Sequence, residues 1–503
     1  TVCYIEGVSG IGKSAFVAEL YKDIVKEKGN YGIGKFDQFK RNIPYSALIQ
    51  ALNQVIQQIL KESPEKVERW KHILKESLGN NSGLLFSVFP DLKLIIGDVE
   101  LVEIDDQALA KNRFVLAFKN LIKGFSQEDA PLVIFLDDLQ WIDSATLLLF
   151  TDFFNSVNIQ EKNYTFIIGA YRDNEVGTDH PLAMVLHDFE QREFPKRSIK
   201  LEALSVSAIN QLCADALERN LEDTKELVNL IYTKTGGSPF FVKQFLENLY
   251  ERGFIYLNRS NKNWTWQIDK VKAAGFTDNV VDLIKEKLHK LDDRVISVLK
   301  IASCFGQQFD IVDIVNISSL HRPEVVTALE KSMEEDIIIK FFKNANEEYR
   351  FQHDRIQNAA YSLITEDELN QYDLRIGAYL LQEKNTDEND HRKLLEGLEH
   401  INRVESFVKD QTLRAKLAQY NLDAANIGRQ SNAYLASYTF AKKGISFLDA
   451  NPWKNQTQLS KDLHLIGAQS AYFLGDYENM HELTETALPN IVNPIVRATF
   501  HEV

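Results

Sequence analysis

The segment from Gly7 to Ser14 has the residue types and spacing that bind phosphate groups. It reads Gly-Val-Ser-Gly-Ile-Gly-Lys-Ser and matches the pattern G-x-x-x-x-G-K-[ST] in full. In this pattern main-chain N–H groups close around phosphate oxygens, the lysine reaches the β- and γ-phosphates, and the serine hydroxyl binds Mg²⁺. We predict a catalytic and binding role for Lys13, and a nucleotide site formed by Gly7, Gly10, Ile11, Gly12, Lys13, Ser14 and Ala15.

Two aspartates that end an apolar run form the second candidate group. The run Val133–Leu136 leads directly into Asp137 and Asp138. Asp137 is placed to hold Mg²⁺ together with Ser14, and Asp138 to orient or deprotonate an attacking water. On its own, such a run also fits a strand that leads into an acidic turn. The phosphate-binding motif favours the functional interpretation.

Arg172 follows another apolar run, Phe166–Ala170. Because parallel strands place functional groups at their carboxyl ends, Arg172 should face the same crevice as Lys13 and Asp137. There it would contact the γ-phosphate or stabilise the charge that develops on it, which makes it our third candidate catalytic residue. The alternative is a surface ion pair with Asp173 or Glu175.

The elements that must position these residues follow from the hydrophobic pattern. Apolar runs alternate with amphipathic segments up to about residue 201, which predicts a parallel α/β sheet. Its candidate strands are Val2–Glu6, Gly32–Phe36, Leu132–Asp137, Phe166–Ala170 and Ser198–Leu201. After about residue 201 the apolar residues recur at helical spacing, and a hairpin is predicted over Tyr256–Ile268. Helices over Val280–Ser303 and Pro323–Glu335, followed by a hairpin from Ile337–Phe342 and Tyr349–Gln352, predict a winged helix.

The last part of the chain is helical throughout, and two of its segments resemble each other at an offset of roughly 40 residues. This spacing predicts tetratricopeptide-like helical repeats, with an ordinary helical bundle as the alternative. The predicted architecture is therefore a P-loop NTPase core over 1–203, a helical lid over 204–278, a winged helix over 279–366 and helical repeats over 367–503.

Composition restricts the class of protein. The 503 residues carry 57 basic and 72 acidic side chains, a net charge of −15, which disfavours DNA as the main partner. Cys3, Cys213 and Cys304 are too scattered for a disulfide framework and fit a reducing cytosol, so we expect a cytoplasmic protein. No run is long and apolar enough for a membrane span. Because the sequence opens in a strand pattern and stops within helical sequence, we expect a segment of a longer protein.

These motifs together resemble a known family. The phosphate-binding segment, Leu136–Asp143 and Gly169–Val176 are similar to the predicted ATPases of the STAND class, signal-transduction ATPases with numerous domains that are related to AAA+ proteins. Phe36–Leu48 and Phe351–Tyr361 resemble one subgroup most closely. That subgroup is the ATPase segment of large bacterial sensor proteins, between a serine/threonine kinase-like domain and GAF and histidine-kinase domains.

The resemblance implies a closed ADP-bound state and an open ATP-bound state. It implies that Pro239 packs beside the adenine, that His353 touches the β-phosphate of ADP, and that Arg172 is the sensor arginine. From the residues alone, Pro239 fits a structural turn and His353 a capping or core residue. Asp138, which stands where many AAA+ relatives have Glu, implies slow turnover.

The sequence therefore predicts a switch that binds ATP or ADP with Mg²⁺ and hydrolyses ATP. Its expected partners are other domains of the same polypeptide (kinase-like, GAF or histidine kinase) and proteins bound by the helical repeats. Two alternatives stay open: a transcription regulator whose winged helix binds DNA, and a scaffold that binds nucleotide without turnover.

Overall fold

The computed structural model describes residues 1–26, 29–38, 40–86, 88–99, 107–155, 164–190, 196–258, 262–273, 280–343, 346–383 and 391–501. Within these ranges, five strands form a parallel sheet in the order β2-β3-β4-β1-β5. They are β1 Val2–Glu6, β2 Asn30–Lys35, β3 Leu132–Asp137, β4 Thr165–Tyr171 and β5 Lys196–Lys200. The predicted α/β class is confirmed, and each predicted strand is present with its ends shifted by at most two residues.

Helices cover both faces of this sheet. Every residue of β3 is buried: Ile134 and Leu136 belong to one apolar cluster, and Val133 and Phe135 to another on the opposite face. This double burial explains why the strand is a continuous apolar run rather than an alternating one. The helices of this part are α1 Lys13–Lys26, α2 Ser46–Leu60, α3 Pro64–Leu78, α4 Ser82–Leu85, α5 Lys93–Ile96, α6 Gln107–Phe125, α7 Ser144–Asn155 and α8 Pro181–Glu190.

The edge strand β2 is covered by α2. A Cβ atom on Gly34 would lie 1.9 Å from the main-chain oxygen of Ala47, so only glycine permits this close approach. Glutamines spaced four residues apart on α2 bond to the free edge: Gln50 accepts from the N–H of Lys35 at 2.9 Å, and Gln54 accepts from Ile33 at 3.0 Å. These bonds satisfy backbone groups that an edge strand otherwise leaves exposed.

A second unit has its own apolar cluster, which includes Ile209, Val228 and Phe245. It contains the predicted hairpin, formed by β6 and β7. Its elements are α9 Val206–Ala216, α10 Leu221–Thr235, α11 Pro239–Glu251, β6 Ile255–Asn258, β7 Asn263–Trp266 and α12 Ile268–Ala273.

A third unit also packs around its own cluster, with Leu299, Leu329 and Phe351 at its centre. The helix predicted over Val280–Ser303 is divided in two, because Asp292 caps a new helix by accepting a hydrogen bond from the N–H of Arg294 at 2.9 Å. Its described strands pair antiparallel in the order β8-β10-β9. The elements are α13 Val280–His289, α14 Asp293–Phe305, β8 Gln308–Asp310, α15 Ile311–Ile317, α16 Arg322–Glu334, β9 Ile338–Lys343, β10 Asn346–Phe351 and α17 Asp354–Ser362.

The remaining described residues form paired helices, as the repeat pattern predicts. Small residues allow close packing: a Cβ atom on Gly428 would lie 2.9 Å from the main-chain nitrogen of Ser437 on the next helix. The helices are α18 Glu366–Glu383, α19 His391–Arg403, α20 Gln411–Gln430, α21 Tyr434–Phe447, α22 Pro452–Asn455, α23 Thr457–Leu474, α24 Tyr477–Ala487 and α25 Pro494–His501. Across the described ranges, no helix combines the length and apolar character of a membrane span.

The loop after β2 connects the sheet to the paired helices. Lys40 forms an ion pair with Glu396 of α19 at 2.7 Å, and the Tyr45 hydroxyl donates to the main-chain oxygen of Ser431 at 2.7 Å. One apolar cluster runs without interruption from α2 and α7 into α20 and α21. The paired helices are therefore packed directly on the α/β core.

Candidate nucleotide site

The phosphate-binding motif forms the loop between β1 and α1. Gly10 and Gly12 have φ values of 81° and 100°, in the region that favours glycine, and α1 begins at Lys13. The Lys13 ammonium donates to the main-chain oxygens of Gly7 at 2.6 Å and Val8 at 3.1 Å. Burial lowers the pKa of Lys13, and the nearby carboxylate of Asp137 opposes this shift. The Lys13 ammonium thus lies against the main chain of its own loop, in the region where phosphates bind in such motifs.

Ser14 and Asp137 are in direct contact. The Ser14 hydroxyl donates to Oδ2 of Asp137 at 2.7 Å, and Asp137 lies at the carboxyl end of β3. Burial and then the charge of Asp138 raise the pKa of Asp137. A hydroxyl beside a carboxylate fits Mg²⁺, which takes a few protein oxygens and completes its shell with phosphates and water. The described residues contain no cluster of three or more His, Cys, Asp or Glu side chains that could hold a metal ion.

Asp138 lies at a sharp turn after β3, with a left-handed φ of 57°. Its carboxylate is surrounded by donors: the Lys35 ammonium at 3.0 Å, the Gln140 amide at 2.8 Å and the Arg172 guanidinium at 3.3 Å. Burial alone would raise the pKa of Asp138, but Lys35 and Arg172 outweigh it and the pKa lies below its usual value. Asp138 is thus ionised and held by three neighbours.

Arg172 follows β4 and points into the same edge of the sheet. Its guanidinium contacts Asp138, pairs with Glu175 at 2.8 Å, and lies over the Trp141 ring at 4.6 Å. It also forms a short ion pair with Asp354, at the start of α17. Burial would lower the pKa of Arg172, but these carboxylates raise it. Arg172 therefore faces the predicted crevice and pairs with Glu175, but it is buried and not on the surface. Its contact with the γ-phosphate stays a prediction.

His353 and Pro239 approach the motif from two other units. His353 precedes α17, and its ring stacks on Phe240 with centroids 4.0 Å apart. Phe240 follows Pro239, and its N–H donates to the main-chain oxygen of Gly10 at 3.3 Å. The described contacts of His353 are with Phe240 and the start of α17, so its predicted contact with a phosphate stays a prediction.

A second contact closes the same side of the motif. The Arg355 guanidinium donates through Nε to the Ser9 hydroxyl at 3.3 Å. Together with the Phe240–Gly10 bond, this contact brings α11 and α17 onto one loop of the core. The predicted site residues of the core, Lys13, Ser14, Asp137, Asp138 and Arg172, therefore lie together, with Pro239 and His353 at the covering side.

Sequence reasoning missed Lys35, Gln140 and Asp354 as members of this group. Lys35 ends β2 at the same sheet edge as Asp137, so its position at a strand end was a usable signal. Gln140 bonds to Asp138 and also accepts from the N–H of Arg172 at 3.2 Å. Asp354 gave no such signal, because it belongs to a different unit 182 residues away from Arg172.

Comparison with known proteins agrees with this geometry. Residues 1–168 match the family described as AAA ATPase domain. The chain is 26% identical to hybrid signal transduction histidine kinase G of Dictyostelium discoideum, over 96% of this chain and 17% of that protein. It is 21% identical to the peroxide stress-activated histidine kinase mak3 of Schizosaccharomyces pombe, over 83% and 19%. The chain thus spans less than a fifth of the length of these relatives.

Among solved structures, the whole chain aligns with 64% of a STAND protein with a tetratricopeptide repeat sensor from Pyrococcus horikoshii, at 14% identity and a TM-score of 0.46. The family match covers the phosphate-binding loop, Asp137 and Asp138, which are the residues that the geometry places together. Residues 1–168 of this chain are therefore similar to AAA ATPase domains, in agreement with the STAND resemblance of its motifs.

Proposed function

We propose that this chain is a cytoplasmic signal-transduction switch that binds ATP and ADP with Mg²⁺ and hydrolyses ATP slowly. ADP would favour a closed arrangement and ATP an open one. The observation that carries the proposal is a continuous series of charged contacts, Lys35–Asp138–Arg172–Asp354. It joins the phosphate-binding edge of the sheet to α17, so a change at the phosphates would be transmitted to the third unit, which contains α17.

Each residue of the core has a task in this proposal. Lys13 exchanges its main-chain oxygens for the β- and γ-phosphates. When Ser14 and Asp137 hold Mg²⁺, the ion supplies positive charge to the phosphate oxygens. Asp138 accepts a hydrogen bond from the attacking water and takes its proton as the water oxygen bonds to the γ-phosphorus and the bond to ADP breaks. Lys13 and Arg172 stabilise the charge on the transferring group.

The geometry around Asp138 supports slow turnover. A general base works best with a pKa near the working pH, whereas Lys35 and Arg172 hold the pKa of Asp138 low. Its carboxylate is also engaged by three donors, and Arg172 is shared with Asp354. Water activation therefore requires these contacts to rearrange, which makes hydrolysis a timer for the arrangement of the units.

The proposal divides the chain into four units, with boundaries at 1–203, 204–278, 279–366 and 367–503. The second unit packs around one apolar cluster, and the third packs around another that also includes Ile376 and Leu380 of α18. These separate clusters support treating the two units as a lid and a winged helix. Because the matched relatives are much longer and two are named histidine kinases, we propose that the switch acts on other domains of its own polypeptide. The paired helices would bind partner proteins or transmit the signal.

Two measurements test this function. Nucleotide extracted from the purified chain by denaturation is expected to be ADP or ATP, identified by chromatography. Phosphate release with Mg-ATP is then expected to be slow but above that of a Lys13→Ala control. Bound nucleotide without release above the control would favour the scaffold, and no nucleotide binding would reject the switch.

A further inference from the structure

A cleft of about 430 Å³ opens between the end of α19 and the start of α20. Its other walls come from the short 3-10 turn Glu405–Phe407 and from Lys443 of α21. The volume lies in the range of small-molecule sites, about 300–1,000 Å³. None of the residues assigned to the nucleotide site lines it. The cleft is therefore a separate site with room for a metabolite.

The walls of the cleft are basic, although the whole chain has a net charge of −15. Four cations line it: Arg403, Lys409, Arg414 and Lys443. Glu405 is the one acidic side chain among the described lining residues. Converging cations in a concave surface focus a positive potential that attracts small anions.

The neighbouring carboxylates neutralise only part of this charge. Glu405 pairs with Lys443 at 3.0 Å, and the buried Asp373 lies 3.5 Å from Arg403. Lys409 makes no ion pair within the part of the chain that the structure describes. Among the described residues, no carboxylate pairs with Lys409 or with the guanidinium of Arg414, so these two of the four cations are left uncompensated.

Arg414 is held in place by groups that carry no charge. It donates to the main-chain oxygens of Val408, at 3.3 Å, and Ser446, and its guanidinium lies 5.1 Å from the centre of the Phe447 ring. A guanidinium fixed by carbonyls and an aromatic ring keeps its full charge and loses little freedom when it binds an anion. This is a pre-organised anion ligand at the wall of the cleft.

We propose that the cleft binds a metabolite-sized anion that carries phosphate or carboxylate groups. Lys409 and Arg414 bind the anionic groups, and Lys443 exchanges Glu405 for the ligand. Both classes of oxyanion satisfy these donors, and arginine binds either one through two parallel hydrogen bonds.

Isothermal titration calorimetry of the chain with inorganic pyrophosphate and with citrate, at low ionic strength, tests the proposal and distinguishes the two classes. Lys409→Ala is expected to raise Kd about tenfold, the effect of losing one charged hydrogen bond. Glu405→Gln should lower Kd, because it removes the acid that competes for Lys443. Lys442→Ala, whose side chain lies over the Tyr438 ring outside the cleft, is the matched control and should leave Kd unchanged.

A Lys13→Ala variant shows whether pyrophosphate or citrate binds at the phosphate-binding loop instead of the cleft. Retained affinity in Lys13→Ala, together with opposite shifts in Lys409→Ala and Glu405→Gln, supports the cleft. Loss of the signal in Lys13→Ala, equal affinity in all cleft variants, or no heat with either probe overturns the proposal.

Discussion

Arg172 and Asp354 form a buried ion pair between the α/β core and the start of α17, although they are 182 residues apart in sequence. The same guanidinium contacts Asp138, so two carboxylates compete for one cation. The contact from His353, and after it the charge of Arg172, keep the pKa of Asp354 far below its usual value, against the burial that would raise it. The pair therefore holds α17 against the core only while both charges are present.

The Asp354→Asn variant should open this packing. Removal of one partner of a buried ion pair costs about 3–5 kcal/mol when the other charge is left unpaired. The cost is smaller here, because Asp138 and Glu175 still pair with Arg172. We expect faster ADP release by at least about tenfold and a larger radius in small-angle scattering. Glu175→Gln, which removes a more exposed partner of the same guanidinium, is the control. Equal behaviour of the two variants would contradict a role for Asp354 in holding the units together.

Lys13→Ala should abolish binding of both ATP and ADP. Within the phosphate-binding loop, Lys13 supplies the cation for the β- and γ-phosphates, and main-chain N–H groups cannot replace its charge. Calorimetric titration of both nucleotides checks this. Lys22→Ala, on the exposed side of α1, is the control. If Lys13→Ala binds the nucleotides as tightly as the parent chain does, the loop is rejected as the binding site.

The core of the site could be predicted from sequence, because its residues follow strands at fixed positions. The motif from Gly7 to Ser14, the acids after β3 and Arg172 after β4 all meet at one sheet edge, as the parallel topology requires. The register of neighbouring strands brings Lys35 opposite Asp137. The same register places Lys35 near Asp138, the residue after Asp137, and so indicates the Lys35–Asp138 pair.

The covering side of the site could not be predicted in this way. Asp354 and Arg355 reach the core only through the packing of whole units, which local periodicity does not encode. The contact between Tyr45 and Ser431 also depends on the packing of whole units, and so do the hydrogen bonds that Gln50 and Gln54 accept from β2. In the sequence these glutamines look like an ordinary polar helix face.

Asp138→Asn should separate binding from turnover. Asp137 and Ser14 still hold the ion, so Mg-ATP should bind, while the neutral amide cannot take a proton from water. We expect phosphate release to fall by about 100-fold or more. Asp173→Asn, a change at a half-buried residue next to Arg172 that pairs with Lys200, serves as control. Hydrolysis at the parent rate in Asp138→Asn would assign water activation to another residue.

Asp313 predicts a pH-dependent stability. Burial raises its pKa to about 6, and the hydrogen bond from the Tyr379 hydroxyl only partly opposes this shift. Because the folded-state pKa exceeds the unfolded value of 3.8, the folded chain binds the proton more tightly, and the stability from Asp313 is lost as the pH rises through about 6.

The Asp313→Asn variant keeps an acceptor for Tyr379 and lacks this titration. From about pH 4 to about pH 7, its stability relative to the parent should rise by about 1–2 kcal/mol, a value reduced for partial exposure to solvent. The difference in Tm between variant and parent across this range measures it, with the exposed Asp367→Asn as control. A constant difference in Tm would contradict the raised pKa.

His353→Ala tests the switch. If His353 touches the β-phosphate of ADP, it belongs to one unit and reports the state of a site on another. Its loss removes the cap of α17 in every state and, in addition, selectively destabilises the closed, ADP-bound arrangement. A hydrogen bond to a charged group contributes about 1.5–3 kcal/mol, which corresponds to a shift of about 10- to 150-fold in the closed-to-open ratio. ADP should leave faster and the chain should extend, while ATP affinity stays the same or rises.

The stacking of His353 on Phe240 provides the matched control for this prediction. Phe240→Leu removes the aromatic contact and keeps the imidazole, so it weakens the packing without removing the group that would bind phosphate. A purely structural histidine predicts a lower Tm with and without nucleotide in both variants, with no selective effect on ADP. Two measurements on both variants distinguish the two cases: the off-rates of ADP and ATP, and the radius from small-angle scattering. Equal losses in ADP-bound and nucleotide-free protein would make His353 a packing residue, and Arg172–Asp354 would then carry the coupling alone.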